Sequence, residues 1–413
     1  MSVIGLTCTQ CHTAYAFEPI YSGCPSCREK GTVGALTVAY DYDAIARTLD
    51  RTAWTRQTHS IWRFQELLPV SDPANQVTLG EGNTALIRPR VVCEVAGMPN
   101  LYIKNETTNP TWAFKDRFHA SSLSVAKSLG YTKVIASTTG NHGASAAAYA
   151  SAAGMEKCVI LCHPESSVLQ RNMIRMYGGY SYVLENRFKY LETFVNDYGY
   201  YPSTTMEPLP AIGTPFGVEG YKTIAYEVFL QLGERTPDRM FFPIAAGDVL
   251  YGPVKGFWEL RRLGVTDRIP VMHGVQPAGC NPYVQSFQQH RQDVAVHPDP
   301  KSIALSIRDD TGGKPALQAI YSTGGDATDV TEEEIIEAVR LLARSGFLVE
   351  TSSAASVAGA IKAAKEGRIT PDETVVCVVT GSGAKWPEVL ERLVPTATPV
   401  EPSWEAIRQE LGL

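Results

Sequence analysis

A lysine stands where a predicted loop gives way to a predicted helix. Lys115 lies in the segment Asn109–Arg117, in which Pro110 favours a loop before the helical pattern begins. Ser137–Gly143, further along, is a second turn that opens a helix. The backbone N–H groups of such a turn favour an anion. A lysine amine combined with an anion-binding turn suggests chemistry in which the amine holds a carbonyl cofactor as a Schiff base.

Both features also have simpler explanations. Lys115 could be a solvated helix lysine paired with Asp116, and Ser137–Gly143 could be an ordinary helix N-cap. The local sequence leaves these alternatives open.

Short apolar strands alternate with helical patterns from about residue 39 onward. Strands are predicted at 133–137, 158–161, 239–244, 271–275, 347–350 and 375–379. Helices are predicted at 144–153, 167–177 and 331–345, the last with acidic residues after Thr331 and a stop at Gly346. Apolar strands that alternate with helices predict buried, mostly parallel sheets covered by helices.

Four cysteines are concentrated near the N-terminus as two CxxC pairs. These are Cys8, Cys11, Cys24 and Cys27. Four thiolates at this spacing can close a tetrahedral zinc site, so the pattern predicts a zinc-ribbon-like segment over residues 1–38. Free cysteines or a ribbon that has lost its metal are the alternatives. A ribbon also suggests a docking module for nucleic acid or protein as a rival class of function.

Composition and charge narrow the class of protein. The chain has 413 residues, of which 44% are hydrophobic and 19% charged, with a net charge of −6. The negative charge argues against nucleic acid as a partner. No apolar run is long enough for a membrane helix, and the start lacks the pattern of a secretory signal. We therefore expect a cytoplasmic protein of two or three domains with no membrane partner.

The order of the motifs resembles one known family. Asn-Pro-Thr-x-x-Phe-Lys-Asp-Arg at 109–117 followed by Ser-x-x-Gly-Asn at 137–141 is similar to pyridoxal-phosphate (PLP) enzymes of the tryptophan-synthase-β-like fold, fold type II. Within this group the sequence most resembles the threonine synthase-like family. Leu79–Thr84, Val218–Thr223 and Glu350–Ser356 add further matches in the family's order, and CxxC pairs also occur in some members.

The resemblance implies an α/β architecture with two open, mostly parallel sheet domains and an N-terminal zinc-ribbon-like segment. The expected divisions are 1–38 for the ribbon, 39–100 with 215–413 for the large PLP-binding domain, and 101–214 for a smaller inserted domain. A homodimer is expected as well. The expected cofactors are pyridoxal 5'-phosphate and a structural zinc ion.

The resemblance also assigns roles to individual residues. Lys115 would hold PLP and move protons, and Thr380 would be the partner of the pyridine nitrogen. Such a hydroxyl leaves the ring a weaker electron sink than a carboxylate would, which suits elimination and replacement. The remaining cofactor-binding residues implied are Asn141, Ala246, Gly247, Asp248, Val249 and Leu250. The substrate-binding residues implied are Thr138, Thr139, Gly140, His142 and Trp112.

Some positions depart from the family pattern. Ala245 and Ala246 replace a glycine and an asparagine of the usual phosphate loop, and Asp248 replaces a glycine. An aspartate beside a phosphate is unfavourable unless its side chain turns away to cap the backbone. Trp112 and His142 stand where the family has smaller residues, which indicates a reshaped substrate pocket.

Two reactions on an amino acid bound as an external aldimine therefore remain open. The first is threonine synthesis from O-phosphohomoserine with release of phosphate, which needs a second anion site; His142, Arg171 and Arg117 are the sequence candidates for it. The second is β-elimination from serine or threonine, or β-replacement on phosphoserine. A non-catalytic zinc-ribbon protein is a minor alternative.

Overall fold

The regular elements follow the alternation that the sequence predicts. The computed structural model describes residues 2–56, 60–206, 213–394 and 404–412. The strands are β1 (Val3–Cys8), β2 (Ala14–Tyr15), β3 (Leu36–Tyr40), β4 (Leu86–Ile87), β5 (Leu101–Asn105), β6 (Lys133–Thr138), β7 (Lys157–Cys162), β8 (Tyr180–Val183), β9 (Tyr201–Pro202), β10 (Arg239–Pro243), β11 (Val271–Pro277), β12 (Ala327–Val330) and β13 (Val375–Val379). The α-helices are α1 (Pro25–Glu29), α2 (Tyr42–Thr48), α3 (Thr52–Arg56), α4 (Arg90–Ala96), α5 (Lys115–Ser128), α6 (Asn141–Ala152), α7 (Val168–Met176), α8 (Phe188–Asn196), α9 (Pro215–Gln231), α10 (Asp248–Arg262), α11 (Pro282–Gln288), α12 (Lys314–Ser322), α13 (Glu332–Arg344), α14 (Thr351–Lys365), α15 (Pro387–Leu393) and α16 (Trp404–Leu411).

Two sheets form the body of the molecule. A six-stranded sheet has the order β12-β11-β10-β13-β5-β4, in which only the edge strand β4 is antiparallel to its neighbour. A four-stranded sheet has the order β8-β7-β6-β9 and is parallel throughout. Every residue of β13 is buried, as expected for an apolar strand inside a sheet covered on both faces. The predicted α/β class with two mostly parallel sheets is confirmed.

One predicted strand is wrong. Residues 347–350 form no strand within the described chain; Val349 makes only an isolated bridge to Ser382. This segment runs beside the residues that follow β13 and leads directly into α14. Val349 is therefore buried at the end of the sheet rather than inside it, while Leu348 is largely exposed. The helix predicted at 331–345 is present, and its capping box joins Thr331 and Glu334.

The strand β5 lies in a different domain from the one predicted for it. The prediction places residue 101 at the start of the smaller domain, but β5 pairs with β13 in the six-stranded sheet. Leu101 and Ile103 are fully buried there. The smaller sheet instead begins with β6, and the rest of the domain division stays a prediction.

The N-terminal segment forms a three-stranded sheet of order β2-β1-β3 that docks on α9 and α10. The buried amine of Lys255 on α10 donates to the Val38 carbonyl at 2.7 Å and to Glu219 on α9 at 2.6 Å. Tyr40 donates to the same Glu219 carboxylate at 2.8 Å. The strand β3 thus runs beyond the predicted limit at residue 38, because its last residues belong to this interface.

Helix α5 is held by a close crossing with α9. A Cβ atom added at Gly220 would lie 1.9 Å from the carbonyl oxygen of Arg117, so the two helices touch through their backbones. This crossing fixes the position of the first residue of α5, which is Lys115. Among the described residues, no helix is both long and apolar enough to span a bilayer.

Candidate active site

A cavity of about 450 Å³ opens between the two main sheets, where the carboxyl ends of their strands meet. Thr138 at the end of β6, Pro243 at the end of β10 and Thr380 after β13 all line it. Open parallel sheets bind ligands at this edge. The predicted site residues are therefore expected to meet at this cavity.

Lys115 reaches into the cavity from the first turn of α5. Its side chain is 20% exposed, and its amine lies 4.4 Å from the centre of the Phe114 ring and 5.7 Å from that of Tyr221. The alternative of a solvated lysine paired with Asp116 is wrong, since Asp116 is buried and accepts hydrogen bonds from Thr111 and Ser145. Partial burial against two aromatic rings favours the neutral form of an amine, which is the form that acts as a nucleophile.

The loop before α6 uses one threonine to hold its own shape. The Thr138 hydroxyl accepts from the backbone N–H groups of Gly140 and Gly143, each at 2.8 Å. Gly140 has φ +154°, and a Cβ atom there would lie 2.0 Å from the Gln170 side chain. Thr138 and Thr139 line the cavity, whereas Gly140 lies behind them. The Thr138 hydroxyl thus organises the loop.

Asn141 begins α6 and lines the cavity. Its Nδ2 donates to Glu350 at 2.8 Å, and its Oδ1 accepts from Gln170 at 2.9 Å. The second N–H of the same amide remains for a ligand. Burial raises the pKa of Glu350, and Trp386 also donates to this carboxyl at 3.0 Å. The orientation of Asn141 is therefore set from two sides.

The segment 244–250 turns from β10 into α10 through a left-handed glycine. Gly247 has φ +94°, and a Cβ atom there would lie 2.3 Å from that of Ala316 and 2.5 Å from the Tyr283 hydroxyl. Within the described chain, the N–H groups of residues 247–249 make no hydrogen bond to protein. Free N–H groups at the start of a 15-residue helix can receive an anion.

Of the residues predicted in this segment, Ala246, Asp248 and Val249 line the cavity. Gly247 shapes the turn behind them, and Leu250 is fully buried in the core. The Ala246 carbonyl accepts from Tyr283 at 2.7 Å, which holds the turn against the next part of the chain.

The carboxylate of Asp248 faces Lys115 across the cavity. Its Oδ2 atom lies 3.8 Å from the Lys115 amine. The condition that would relieve an aspartate beside a phosphate, a side chain turned away to cap the backbone, is not met in the described chain: the Asp248 carboxylate makes no hydrogen bond to a backbone N–H there. The lysine is its ionic partner instead.

Thr380 follows β13 and is buried at the inner end of the cavity. Its hydroxyl lies 2.9 Å from that of Ser353, and its carbonyl accepts from the Phe114 N–H at 2.9 Å. The second contact links the end of the central strand to the residue before Lys115. This hydrogen bond therefore fixes the position of Thr380 relative to Lys115, the two residues predicted to contact different parts of one cofactor.

His142 lines the cavity as a neutral group. Burial and the nearby Lys115 lower the pKa of His142 to about 3. Its Nε2 lies 2.7 Å from the Ser203 carbonyl and so carries the proton, which leaves Nδ1 as an acceptor. His142 cannot serve as the cationic anion receptor that the sequence suggested.

Arg117, a second candidate for that role, is also wrong. It is fully buried and pairs with Glu106 at 2.6 Å and with Glu227 at 2.7 Å, away from the cavity. Burial opposes the charged form of Glu227, but Arg117 and Lys104 hold the pKa of this carboxyl well below its usual range. The arginine is therefore part of a buried ion network under α5.

Trp112 does not line the cavity, contrary to its predicted contact with substrate. It has φ +63°, and its side chain is 44% exposed. The turn that it occupies brings its carbonyl to the Ser382 N–H at 3.0 Å and directs the chain toward Lys115. Backbone geometry, rather than the indole ring, is what this position supplies.

Sequence reasoning missed several polar residues of the cavity wall. Arg187, Arg308, Asp309 and Asp310 line it, together with His163. Arg187 precedes α8, and the others lie in connecting segments that carry no recognisable motif. Charged residues in loops after strands were the available signal, but many loops contain them.

The four N-terminal cysteines come together as predicted. Their sulfur atoms all lie within 4.8 Å of one another, with Cys8 and Cys27 3.7 Å apart and Cys11 and Cys24 3.6 Å apart. Zn–S bonds of about 2.3 Å in a tetrahedron require sulfurs about 3.8 Å apart. Gly34 packs against the cluster, since a Cβ atom there would lie 2.7 Å from the sulfurs of both Cys8 and Cys27. The cluster fits zinc.

Comparison with known proteins agrees with this geometry. Residues 77–381 match the family described as pyridoxal-phosphate dependent enzymes, and the chain belongs to that family. It is 36% identical to the threonine synthase of Methanocaldococcus jannaschii over 93% of this chain and 94% of the relative. It is 33% identical to the threonine synthase of Methanosarcina acetivorans, over 98% of each chain.

The fold is shared with solved structures of lower sequence identity. The processed form of threonine deaminase isoform 2 from Solanum lycopersicum superposes with a TM-score of 0.64 at 18% identity, covering 81% of this chain and 94% of that one. Maize serine racemase gives 0.63 at 19% identity, covering 76% and 93%. The predicted fold type II architecture and the threonine synthase-like, PLP-dependent enzyme class are confirmed.

Proposed function

We propose that this enzyme catalyses elimination or replacement on an amino acid, and that its substrate is O-phosphohomoserine, which it converts to threonine and phosphate. The observation that carries the proposal is the position of the Lys115 amine, which shares one cavity with Asn141, Thr380 and the free start of α10. The similarity to threonine synthases over nearly the whole chain supports the choice of substrate.

The residues present fit pyridoxal phosphate. Lys115 supplies the amine, the N–H groups at the start of α10 suit the phosphate, and Thr380 and Asn141 suit the two sides of the ring. Asp248 is an unfavourable neighbour for the phosphate, and its approach to Lys115 offsets part of its charge. When bound, PLP supplies a conjugated ring that withdraws negative charge from the Cα atom of an amino acid.

The protein groups then have separate tasks. The Lys115 amine removes the proton from Cα and returns a proton later, since it is the base that reaches the cavity from α5. Thr139 and Asn141 orient the amino acid at the start of α6, and His142 offers an acceptor nitrogen. Phe114, Phe118 and Val249 exclude water from the inner wall.

The acidity of the cavity wall favours a second candidate. Asp248, Asp309 and Asp310 all line the cavity and disfavour a doubly charged phosphate ester. β-Elimination from serine or threonine, or β-replacement on phosphoserine, would use the same lysine with another side chain in the pocket. A non-catalytic zinc-ribbon protein is disfavoured by the family to which the chain belongs.

Substrate turnover separates these candidates. Incubation with O-phosphohomoserine should release phosphate and threonine at equal rates. If the protein instead releases ammonia and a 2-oxoacid from serine or threonine and leaves O-phosphohomoserine intact, the first candidate is wrong and the second is correct.

Three further properties belong to the same proposal. The four-cysteine cluster holds a structural zinc ion, which its sulfur spacing supports. The enzyme works as a homodimer, by likeness to its family. It acts in the cytoplasm on a small amino acid.

A further inference from the structure

The cations that line the cavity differ in whether they already have a partner. Lys115 faces Asp248 at 3.8 Å, and Arg308 pairs with Glu165. Arg187 has no carboxylate within ion-pair distance among the described residues. It is therefore the lining cation, within the described chain, that remains available to a ligand.

Arg187 is held in place by one end of its guanidinium. Its Nη1 atom donates to the Thr138 carbonyl at 2.7 Å, which fixes the group beside the loop that opens α6. Its Nε atom is buried and has no hydrogen-bond partner in the part of the chain that the structure describes. A buried N–H without an acceptor is unfavourable, and an oxygen of a ligand would satisfy it.

Arg187 is half-buried in a cavity wall that also carries carboxylates. Burial lowers the pKa of the Arg187 guanidinium, while Asp309 opposes this shift from the other wall of the cavity. An arginine guanidinium keeps its proton in proteins, so Arg187 is a half-buried cation. Such a cation binds an oxyanion strongly and in a defined orientation.

We propose that Arg187 receives an oxyanion carried by the side chain of the substrate. The inference rests on the proposed elimination or replacement chemistry and narrows its substrate to an amino acid with a second acidic group. A phosphate ester and a carboxylate share the required chemistry. The assignment replaces the three candidates from the sequence, because Arg117 is paired in the core, His142 is neutral and Arg171 does not line the cavity.

Calorimetry on the PLP-loaded protein tests the assignment without requiring turnover. The ligands are O-phosphoserine and glutamate, compared with their uncharged counterparts serine and glutamine. Wild-type protein should bind the acidic ligands at least about tenfold more tightly, as expected for a hydrogen bond to a charged group. Arg187→Gln should lose this preference while its affinity for serine and glutamine stays unchanged, and Arg187→Lys should keep part of it.

Arg171→Gln is the matched control, since Arg171 belongs to the same part of the fold but does not line the cavity. Its preference should equal that of the wild type. An Arg187→Gln variant with an unchanged preference, or a wild type that favours the uncharged ligands, would overturn the assignment. A larger effect for O-phosphoserine than for glutamate would identify phosphate as the group bound.

Inorganic sulfate is a second probe that does not depend on amino-acid chemistry. It should bind the PLP-loaded wild type and the Arg171→Gln variant, and not the Arg187→Gln variant. If the wild type turns over no amino acid but still binds sulfate and still prefers the acidic ligands, the proposed function is wrong and this inference stands. If an acidic amino acid is turned over equally well by the wild type and the Arg187→Gln variant, this inference is wrong and the proposed function stands.

Discussion

The Lys115 amine and the Asp248 carboxylate lie 3.8 Å apart, so the first residues of α5 and α10 face each other across the cavity. The helix α10 presents free N–H groups to an anion at the same point. A negative side chain therefore stands beside the position that best suits a phosphate group.

Replacing Asp248 should consequently strengthen cofactor binding. The Asp248→Asn variant removes a negative charge beside the start of α10, and we expect its Kd for PLP to fall by about tenfold, on the order of 1.4 kcal/mol. Titration of the cofactor-free protein with PLP measures this. Asp267→Asn, which lies outside the cavity, should leave the Kd unchanged. Equal or weaker binding by the Asp248 variant would show that the carboxylate does not oppose the phosphate.

The binding of an acidic ligand should depend on pH through Asp309. Burial raises the pKa of Asp309 to about 6. The negative charges of Asp310 and Asp248 also raise this pKa, whereas the positive charges of Arg187 and Lys115 lower it. The carboxyl is neutral below this pH and negative above it, so it repels an anion at Arg187 only above about pH 6.

Glutamate is the suitable probe, because its side chain stays ionised across this range. Its affinity should fall as the pH rises from 5 to 7, and the fall should vanish in the Asp309→Asn variant. The same pH dependence in both proteins would assign the titration to another group.

The buried arginine under α5 should matter for stability and not for substrate recognition. Arg117→Met leaves Glu106 buried without an ion-pair partner among the described residues. It leaves Glu227 with Lys104 and Arg63 only, and we expect a loss of about 3–5 kcal/mol in the free energy of unfolding. Urea denaturation at neutral pH measures it. Arg90→Met, which removes an exposed pair with Glu94, should shift the midpoint little.

Acid should abolish this contribution. The pKa of Glu227 is depressed in the folded protein, so its stabilising effect is present above the pKa of the unfolded chain and is lost as the pH falls below about 4. An Arg117→Met protein as stable as the wild type at pH 7 would contradict the assigned role.

Zinc binding by the four-cysteine cluster should be sensitive to a methyl group added at Gly34. Gly34→Ala places a Cβ atom 2.7 Å from the sulfurs of Cys8 and Cys27, so we expect weaker zinc binding and a lower melting temperature. Cys27→Ser should have the same effect, while Cys93→Ser, outside the cluster, should not. Metal analysis and thermal unfolding together provide the test. Full zinc content in Gly34→Ala would exclude the arrangement described.

The sequence was most informative where chemistry and local structure coincide. Lys115, Asn141 and Thr380 each stand at the junction of an element and a loop, and apolar strands beside them made those junctions recognisable. The fold and the presence of these residues in one cavity could therefore be predicted.

The remaining features depend on contacts between distant parts of the chain. Whether Arg117 faces a ligand or the core is decided by Glu227, which is 110 residues away. Arg187 meets the Thr138 carbonyl across 49 residues, and nothing near it in sequence indicates that contact. Trp112 adopts a positive φ, which is rare for a tryptophan, and its side chain is exposed; its residue type predicts neither.

The most direct test of the account is to locate the cofactor on the protein. Purified protein with added PLP should show the visible absorption band of a lysine-bound pyridoxal, and Lys115→Ala should lack it. After borohydride reduction, peptide mass spectrometry should find the pyridoxyl group on Lys115. A band that persists in Lys115→Ala, a label on another lysine such as Lys385, or no band at all would contradict the assignment of this cavity as the active site.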